Sequence, residues 1–382
     1  MRWNQGCLIA LTLAMCTQRM SIAVGNILYG VSILFFLVDL YRRHKAGEKL
    51  GLPKQYKQYF LAYGLFALLV LPSVFTSVRP GASAVKYLDY FAARIWVLPI
   101  LLFLDIDRES IKKALLAYVF FLGFDGLWTF GERIYTHAAR SNGLGDGWLR
   151  QASIVSTVFP ASVLLWLSTE RLPHKAWLAL SALLIVLGAV GSGTRASWVG
   201  ILTTLPFILY GARHMAWKKV VAILLACACL AVAFVQTPVL RNRFISIANV
   251  TTNRSNADRV EAWKGGVRML HDRPVTGFGP LQGGKVYLKQ YRTKADKQGL
   301  GHFHNNYVQA AVDSGILGLA GLLFFTGYNL WIFRRWDNVY SLIGFCAWIG
   351  FSVVAMFDFT WGMSAAVKAL WFMTGCSLRL RE

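Results

Sequence analysis

Residues Gly301–Gly321 read GHFHNNYVQAAVDSGILGLAG, two histidines and two asparagines placed immediately before one of the most apolar runs in the chain. A polar stop followed at once by such a run reads as chain entering hydrocarbon, and the same alternation recurs along nearly the whole length. With 56% apolar residues and only 15% charged ones, a set of soluble domains is excluded as the simplest reading. Apolar runs long enough to cross about 30 Å of hydrocarbon alternate with short connections rich in Lys and Arg. The expected fold is therefore an all-α polytopic integral membrane protein.

About twelve spans are expected, centred near Leu11, Leu34, Leu68, Leu98, Phe121, Leu164, Leu184, Phe207, Ala226, Leu323, Ile349 and Phe372. The first begins with MRWNQGCLIALTLAMC, where Leu13 to Cys16 resembles a lipoprotein cleavage box. Met15 is too large for the small residue such a box wants, so an uncleaved first helix is expected. The six cysteines, Cys7, Cys16, Cys227, Cys229, Cys346 and Cys376, fall in or beside spans without zinc-ligand company. They read as small apolar residues.

Counting Lys and Arg orients the chain. Segments on one side, from Arg2 through YRRHKAGEKLGLPKQYKQ to Arg379 and Arg381, hold about nineteen basic residues against about seven in the short loops opposite. Basic residues near span ends resist translocation, so both termini are expected in the cytoplasm. One outer segment breaks the pattern, running from about Gln236 to Phe303 with roughly twelve Lys or Arg against Asp258, Glu261, Asp272 and Asp296. Loops this long escape the rule, and a basic surface held above a bilayer suits a membrane-borne anion such as a phosphate-bearing lipid; the plainer reading is solvated charge, or binding to anionic headgroups without chemistry. The chain thus divides into residues 1–235 with spans one to nine, 236–303 forming one long periplasmic loop that contains helices, and 304–382 with spans ten to twelve.

Several segments carry candidate chemistry. GSGTRASWVG, Gly191–Gly200, sets Arg195 in a short outer turn where backbone N–H groups and a guanidinium can approach an anion; the plainer reading is an interfacial arginine that snorkels. NADRVEAWKGGVRMLHDRPVTGFGP predicts a helix from Asn256 or Ala257 to before Pro274, with Arg259, Trp263 and Val267 on one face. GPLQGGKV, Gly279–Val286, has Val286 where a nucleotide loop needs Ser or Thr, and Asp105-Ile-Asp107 lies in a loop too short for a metal-dependent transferase domain. Charges inside spans demand partners: Arg94 and Asp125 lie at similar depth and are expected to pair, with Arg94 also available to an anion, whereas Lys368 can snorkel.

Of seven histidines, His44, His174 and His214 fall in inner loops and His137, His271, His302 and His304 outside; only His304 immediately precedes a helix. Its imidazole can take a proton from an attacking hydroxyl, with Asn305 fixing its tautomer or binding an acceptor. A loop histidine with no role is the plainer alternative.

Together, the spans, the GTRASW turn, the loop with DRVEAWKGGVRMLHDRPVTGFG and the HFHNNYVQAAVDSGILGLAG segment resemble the O-antigen ligase and polymerase superfamily of bacterial envelope glycosyltransferases, and within it the ligases most. The resemblance covers roughly residues 191–321. It implies an inner-membrane glycosyltransferase with a periplasmic active site. The implied donor is a glycan on undecaprenyl diphosphate and the acceptor a hydroxyl of the lipid A core oligosaccharide, amid membrane lipids and without nucleic acid, metal, nucleotide or other cofactor. On the family motifs, Arg195 and Arg259 would hold the diphosphate and His304 would be the base, with Asn305 and Arg94 as supporting residues. Asp313 stands where Glu is more usual, and the extra His302 leaves the base open between two histidines. The sister polymerase shares every motif. A transporter would instead centre on Arg94 and Asp125, and a protein-glycosylating relative usually carries further soluble sequence.

Overall fold

The computed structural model describes residues 3–211, except 49, 50, 52, 139, 146, 170 and 171, together with 241, 242, 245 and 253–382. The span centre at Ala226, Cys227, Cys229, His214 and most of the first part of the long loop lie outside the described residues. Among the described residues every regular element is helical: α1 (Trp3–Met20), α2 (Ile22–Lys45), α3 (Lys54–Val70), α4 (Pro72–Phe75), α5 (Pro80–Leu88), α6 (Val97–Phe103), α7 (Arg108–Thr136), α8 (Trp148–Ser168), α9 (Leu172–Ser192), α10 (Arg195–Gly211), α11 (Arg254–Asp272), α12 (Gly283–Val286), α13 (Asn306–Ile332), α14 (Val339–Val354) and α15 (Ser364–Leu380). Among the described residues, six stretches are long and apolar enough to cross a bilayer: Ile22–Lys45, Lys54–Phe75, Arg108–Thr136, Trp148–Ser168, His174–Ser192 and Asn306–Ile332. The eleven other expected centres all fall inside helices.

Helix α15 is buried along almost its whole length, so it forms the centre around which the others pack. Its Trp371 ring meets Tyr63, Phe325, Trp348 and Trp361 at centroid distances of 5.7, 5.9, 5.9 and 5.9 Å. Edge-to-face rings at this range bury large area with defined geometry.

Helix ends are set by short polar side chains. Asp107 accepts the N–H of Ser110 at 2.8 Å and so caps α7, which gives the Asp105-Ile-Asp107 segment a structural role. Asn305 accepts the N–H groups of Tyr307 and Val308 at 2.8 and 3.1 Å, capping α13. That helix is not continuous. Gly315 has φ 63° and ψ −161°, and a Cβ there would lie 2.2 Å from the Val275 carbonyl oxygen. Only glycine fits both conditions.

The break is filled by the segment after α11. Ile316 donates to the Pro274 carbonyl at 2.7 Å, Phe278 to Val312 at 3.0 Å and Gly279 to Asp313 at 2.8 Å. Asp313 in turn accepts the N–H groups of Leu281 and Gly283, each at 2.9 Å. The backbone of GPLQGGKV thus cradles a carboxylate of its own chain through Leu281 and Gly283.

The charges inside the bundle pair otherwise than expected. Arg94 and Asp125 do not meet. Arg94 donates to Asp89 at 2.6 Å, five residues back on its own segment, and to the Trp361 carbonyl at 2.6 Å. Asp125 instead pairs with Arg19 at 2.9 Å, both side chains fully buried, and also accepts the N–H of Leu144 at 3.0 Å. Similar depth in two helices does not say which third helix lies between them. Lys368 does not snorkel: it is buried, donates to Asn26 at 2.9 Å and sits 4.1 Å from the centre of the Tyr29 ring.

Removing one member of the Arg19–Asp125 pair strands the other in a dry interior. Arg19→Ala or Asp125→Ala is expected to cost about 3–5 kcal/mol, read as loss of protein from the membrane fraction and a lower unfolding midpoint in detergent. The double change Arg19→Met with Asp125→Leu should recover much of that loss.

Candidate functional site

The segment that opens on His302 is held in place from both sides. Trp263, on α11, donates its indole N–H to the Phe303 carbonyl at 2.7 Å, and the Phe303 N–H donates to Gln309 at 3.1 Å. Asn306 donates its backbone N–H to Ala355 at 2.8 Å and its side-chain amide to Thr360 at 2.9 Å, and accepts the N–H of Trp361 at 3.1 Å. The start of α13 is therefore fastened to the turn between α14 and α15. That turn carries Asp358, which is 2% exposed.

Between these anchors, His304 adopts φ 46°, a left-handed conformation unusual for a residue with a side chain. Its Nδ1 lies 3.2 Å from Asp358 Oδ1. An ionised carboxylate can only accept, so Nδ1 carries the proton and Nε2 is left with its lone pair. The ring of His302 packs 4.0 Å from that of His304, centroid to centroid, and its Nδ1 accepts the His304 backbone N–H at 3.3 Å. With Nδ1 accepting, the neutral His302 ring has its proton on Nε2 and no lone pair to spare. Burial, then the neighbouring His304 and Arg259, push the His302 pKa down to about 4, against the pull of Asp358.

Arg195 and Arg259 approach from the other side. Gly193, at φ 60°, turns the chain out of α9 so that Arg195 begins α10. Its Nη2 donates to Asn256 Oδ1, on α11, at 2.9 Å. Helix α11 starts at Arg254 under an Asn253 cap, two residues before the expected start, and ends at Asp272. Of the three residues expected on one face, Arg259 and Trp263 are half-buried while Val267 is 67% exposed. Burial lowers the pKa of Arg259 first; Asp358 opposes that and Arg140 adds to it. Arg195 is lowered by burial and by the charges of both Arg259 and Arg140. Three guanidiniums thus share one region with Asp358 and the histidine pair.

Two members of this group were not anticipated from sequence. Arg140 lies in the loop after α7, its guanidinium 5.1 Å from the centre of the Trp148 ring. Asp358 lies in the short FDFTWG turn, where an acid between two apolar helices was the available signal. Asn305 does not orient His304: its oxygen caps α13 and its amide donates to the Met356 carbonyl at 3.1 Å. Arg94 is committed to Asp89 and to the carbonyl of Trp361, in the turn that carries Asp358.

His302, His304 and Asp358 offer ligand atoms within 4.8 Å of one another, so the donor set for a metal ion exists in outline. Its electrostatics oppose one. His302 Nδ1 already accepts the His304 backbone N–H and His304 Nδ1 already meets Asp358, and a dication would sit beside three guanidiniums with one carboxylate to offset it.

Residues 180–323 match the family model described as O-antigen ligase. The match, over well under half of the chain, supports membership of that segment in the O-antigen ligase and polymerase superfamily. No curated protein matches it at significance. The ligase-family segment takes in Arg195, Arg259, His302, His304 and Asn305, while Arg140 and Asp358 lie outside it. Its membership implies a membrane-bound, glycosyltransferase-like enzyme acting in O-antigen assembly.

The depressed His302 pKa has a consequence for stability. The unfolded chain takes up this proton near the ordinary 6.5 and the folded one near 4. Between those values the unfolded state holds more protons, so the contribution is complete above 6.5 and is lost as pH falls towards 4. The unfolding midpoint should therefore fall between pH 6.5 and 4 more steeply in the native protein than in His302→Gln; equal slopes would contradict the assignment.

Proposed function

We propose that this protein is a periplasm-facing ligase that transfers a glycan from undecaprenyl diphosphate to a hydroxyl of the lipid A core oligosaccharide. The observation that carries the reading is the His304 imidazole, its Nδ1 held by Asp358 and its Nε2 lone pair free, in the same region as Arg140, Arg195 and Arg259. The excess of Lys and Arg in the segments opposite supports cytoplasmic termini and a periplasmic site in the inner membrane.

In the reaction, an oxygen of the acceptor hydroxyl attacks the anomeric carbon and its proton passes to His304 Nε2. The bond from that carbon to the phosphate oxygen breaks, and its electron pair leaves with undecaprenyl diphosphate. Diphosphate is already a good leaving group, so the main requirement is positive charge where negative charge develops. Arg195 and Arg259 supply it, with Arg140 as a third donor. Asp358 steadies the imidazolium that forms, as a buried carboxylate does for a histidine base. A single displacement with base and leaving group on opposite faces inverts the anomeric centre. His302, lacking a lone pair, positions His304 through its backbone. The reaction as written requires neither nucleotide nor metal.

The test is an assay of the purified protein with lipid-linked glycan and lipid A core, without added nucleotide or divalent metal. Product on the core is expected; chain growth on the lipid-linked glycan alone would assign the polymerase reaction instead. Arg195→Ala, Arg259→Ala and His304→Ala should abolish transfer while the protein stays in the membrane. Asp358→Asn should lower turnover by about 10²–10⁴-fold. Normal transfer in any of the first three removes that residue from the mechanism.

A further inference from the structure

The bond from the Trp263 indole to the Phe303 carbonyl, 2.7 Å long, joins the helix that carries Arg259 to the segment that carries His304. Arg259 and Trp263 lie four residues apart on α11, and so share a face about one turn apart. The helix comes close to the segment because position 266 is glycine: a Cβ there would lie 2.8 Å from Val308 Cγ1 and 3.3 Å from the Phe303 ring. Phe303 is 1% exposed, so its backbone groups need partners within the protein. Gln309 takes the N–H at 3.1 Å, and Trp263 supplies the donor for the carbonyl.

That carbonyl belongs to the peptide group linking Phe303 to His304. The same group's N–H donates to His302 Nδ1 at 3.3 Å, so the plane is clamped at both ends, and its orientation sets the φ of His304. At 46° that φ is one a residue with a side chain keeps only where its surroundings fix it. Packing against Met269, Tyr287, Phe303 and Val312 needs no more than an apolar ring at position 263. The indole N–H adds a fixed distance and direction from α11 to the plane from which His304 hangs. We propose that Trp263 is a positioning residue for the base, registering His304 on α11 so that one helix sets both the base and the diphosphate-holding Arg259. This rests on the reaction given above and adds to it the residue that keeps its two halves in register.

Full-length protein in detergent, with lipid-linked glycan and lipid A core as substrates, tests this with two variants. Trp263→Phe keeps an apolar ring and removes the N–H. Benzothienylalanine at position 263 keeps the indole shape with sulfur in place of the N–H, and decides the matter should the Phe variant not fold. In each, kcat is expected to fall by about 10–100-fold with the KM for lipid-linked glycan unchanged, because Arg259 stays on its helix. Amide hydrogen exchange across residues 302–305 should rise by at least about tenfold while exchange in the body of α11 stays native. Native kcat, whether or not KM rises, or unaltered exchange across 302–305 overturns the proposal. The reaction itself fails by a different result: full transfer by His304→Ala removes the base, whatever the Trp263 variants do.

Discussion

The arrangement depends on one broken helix. At Gly315 the helix ladder of α13 is interrupted, and the freed backbone groups are answered by Pro274, Phe278 and Gly279 from the segment that follows α11. In or near hydrocarbon an unanswered peptide group costs several kcal/mol, so the break and the docked segment require each other. Asp313 reinforces the joint from two residues away by accepting Leu281 and Gly283. The segment after α11 is thereby held to the bundle by backbone geometry as well as by side-chain packing, which positions α11 and its Arg259 relative to the turn bearing Arg195.

A second joint completes the site. The start of α13 is bonded to the turn between α14 and α15 through Asn305 and Asn306, which brings His304 to Asp358 across a separation of more than fifty residues. The two asparagines spend their hydrogen bonds on placement. Their neighbours are then free for chemistry: one histidine is locked neutral by its neighbour's backbone, the other holds its proton towards a buried carboxylate. Residues that read alike in sequence have been given different work by which atom each one must satisfy.

This explains what was legible and what was not. Helical, membrane-type organisation follows from apolar runs whose spacing needs no partner to interpret, and the ligase-family motifs lie within short continuous stretches such as GTRASW and HFHNN. Pairing between distant segments has no such local mark. Asp125 could be seen to need a cation but not that Arg19 would supply it, and Asn305, adjacent to His304 in sequence, was assigned a tautomer role that belongs to Asp358. The docking of the segment from Pro274 to Gly279 into the break at Gly315 was not legible, because a glycine in an apolar run also reads as ordinary helix packing.

The guanidinium cluster has an energetic consequence of its own. Arg140, Arg195 and Arg259 each lose hydration in the folded protein, and Arg195 is further opposed by the charges of the other two. Such a cluster destabilises the fold unless rigid elements hold it, and here a helix start, a capped helix and a ring-stacked loop do so. In the proposed reaction, donors held together before the substrate arrives need no reorganisation when charge develops on a departing diphosphate. A divalent anion relieves the mutual repulsion, and a trianion formed during bond breaking relieves it further. The strain stored among the arginines is therefore released most in the state where the leaving group carries most charge, which is the condition for binding energy to lower a barrier and not merely to retain a substrate.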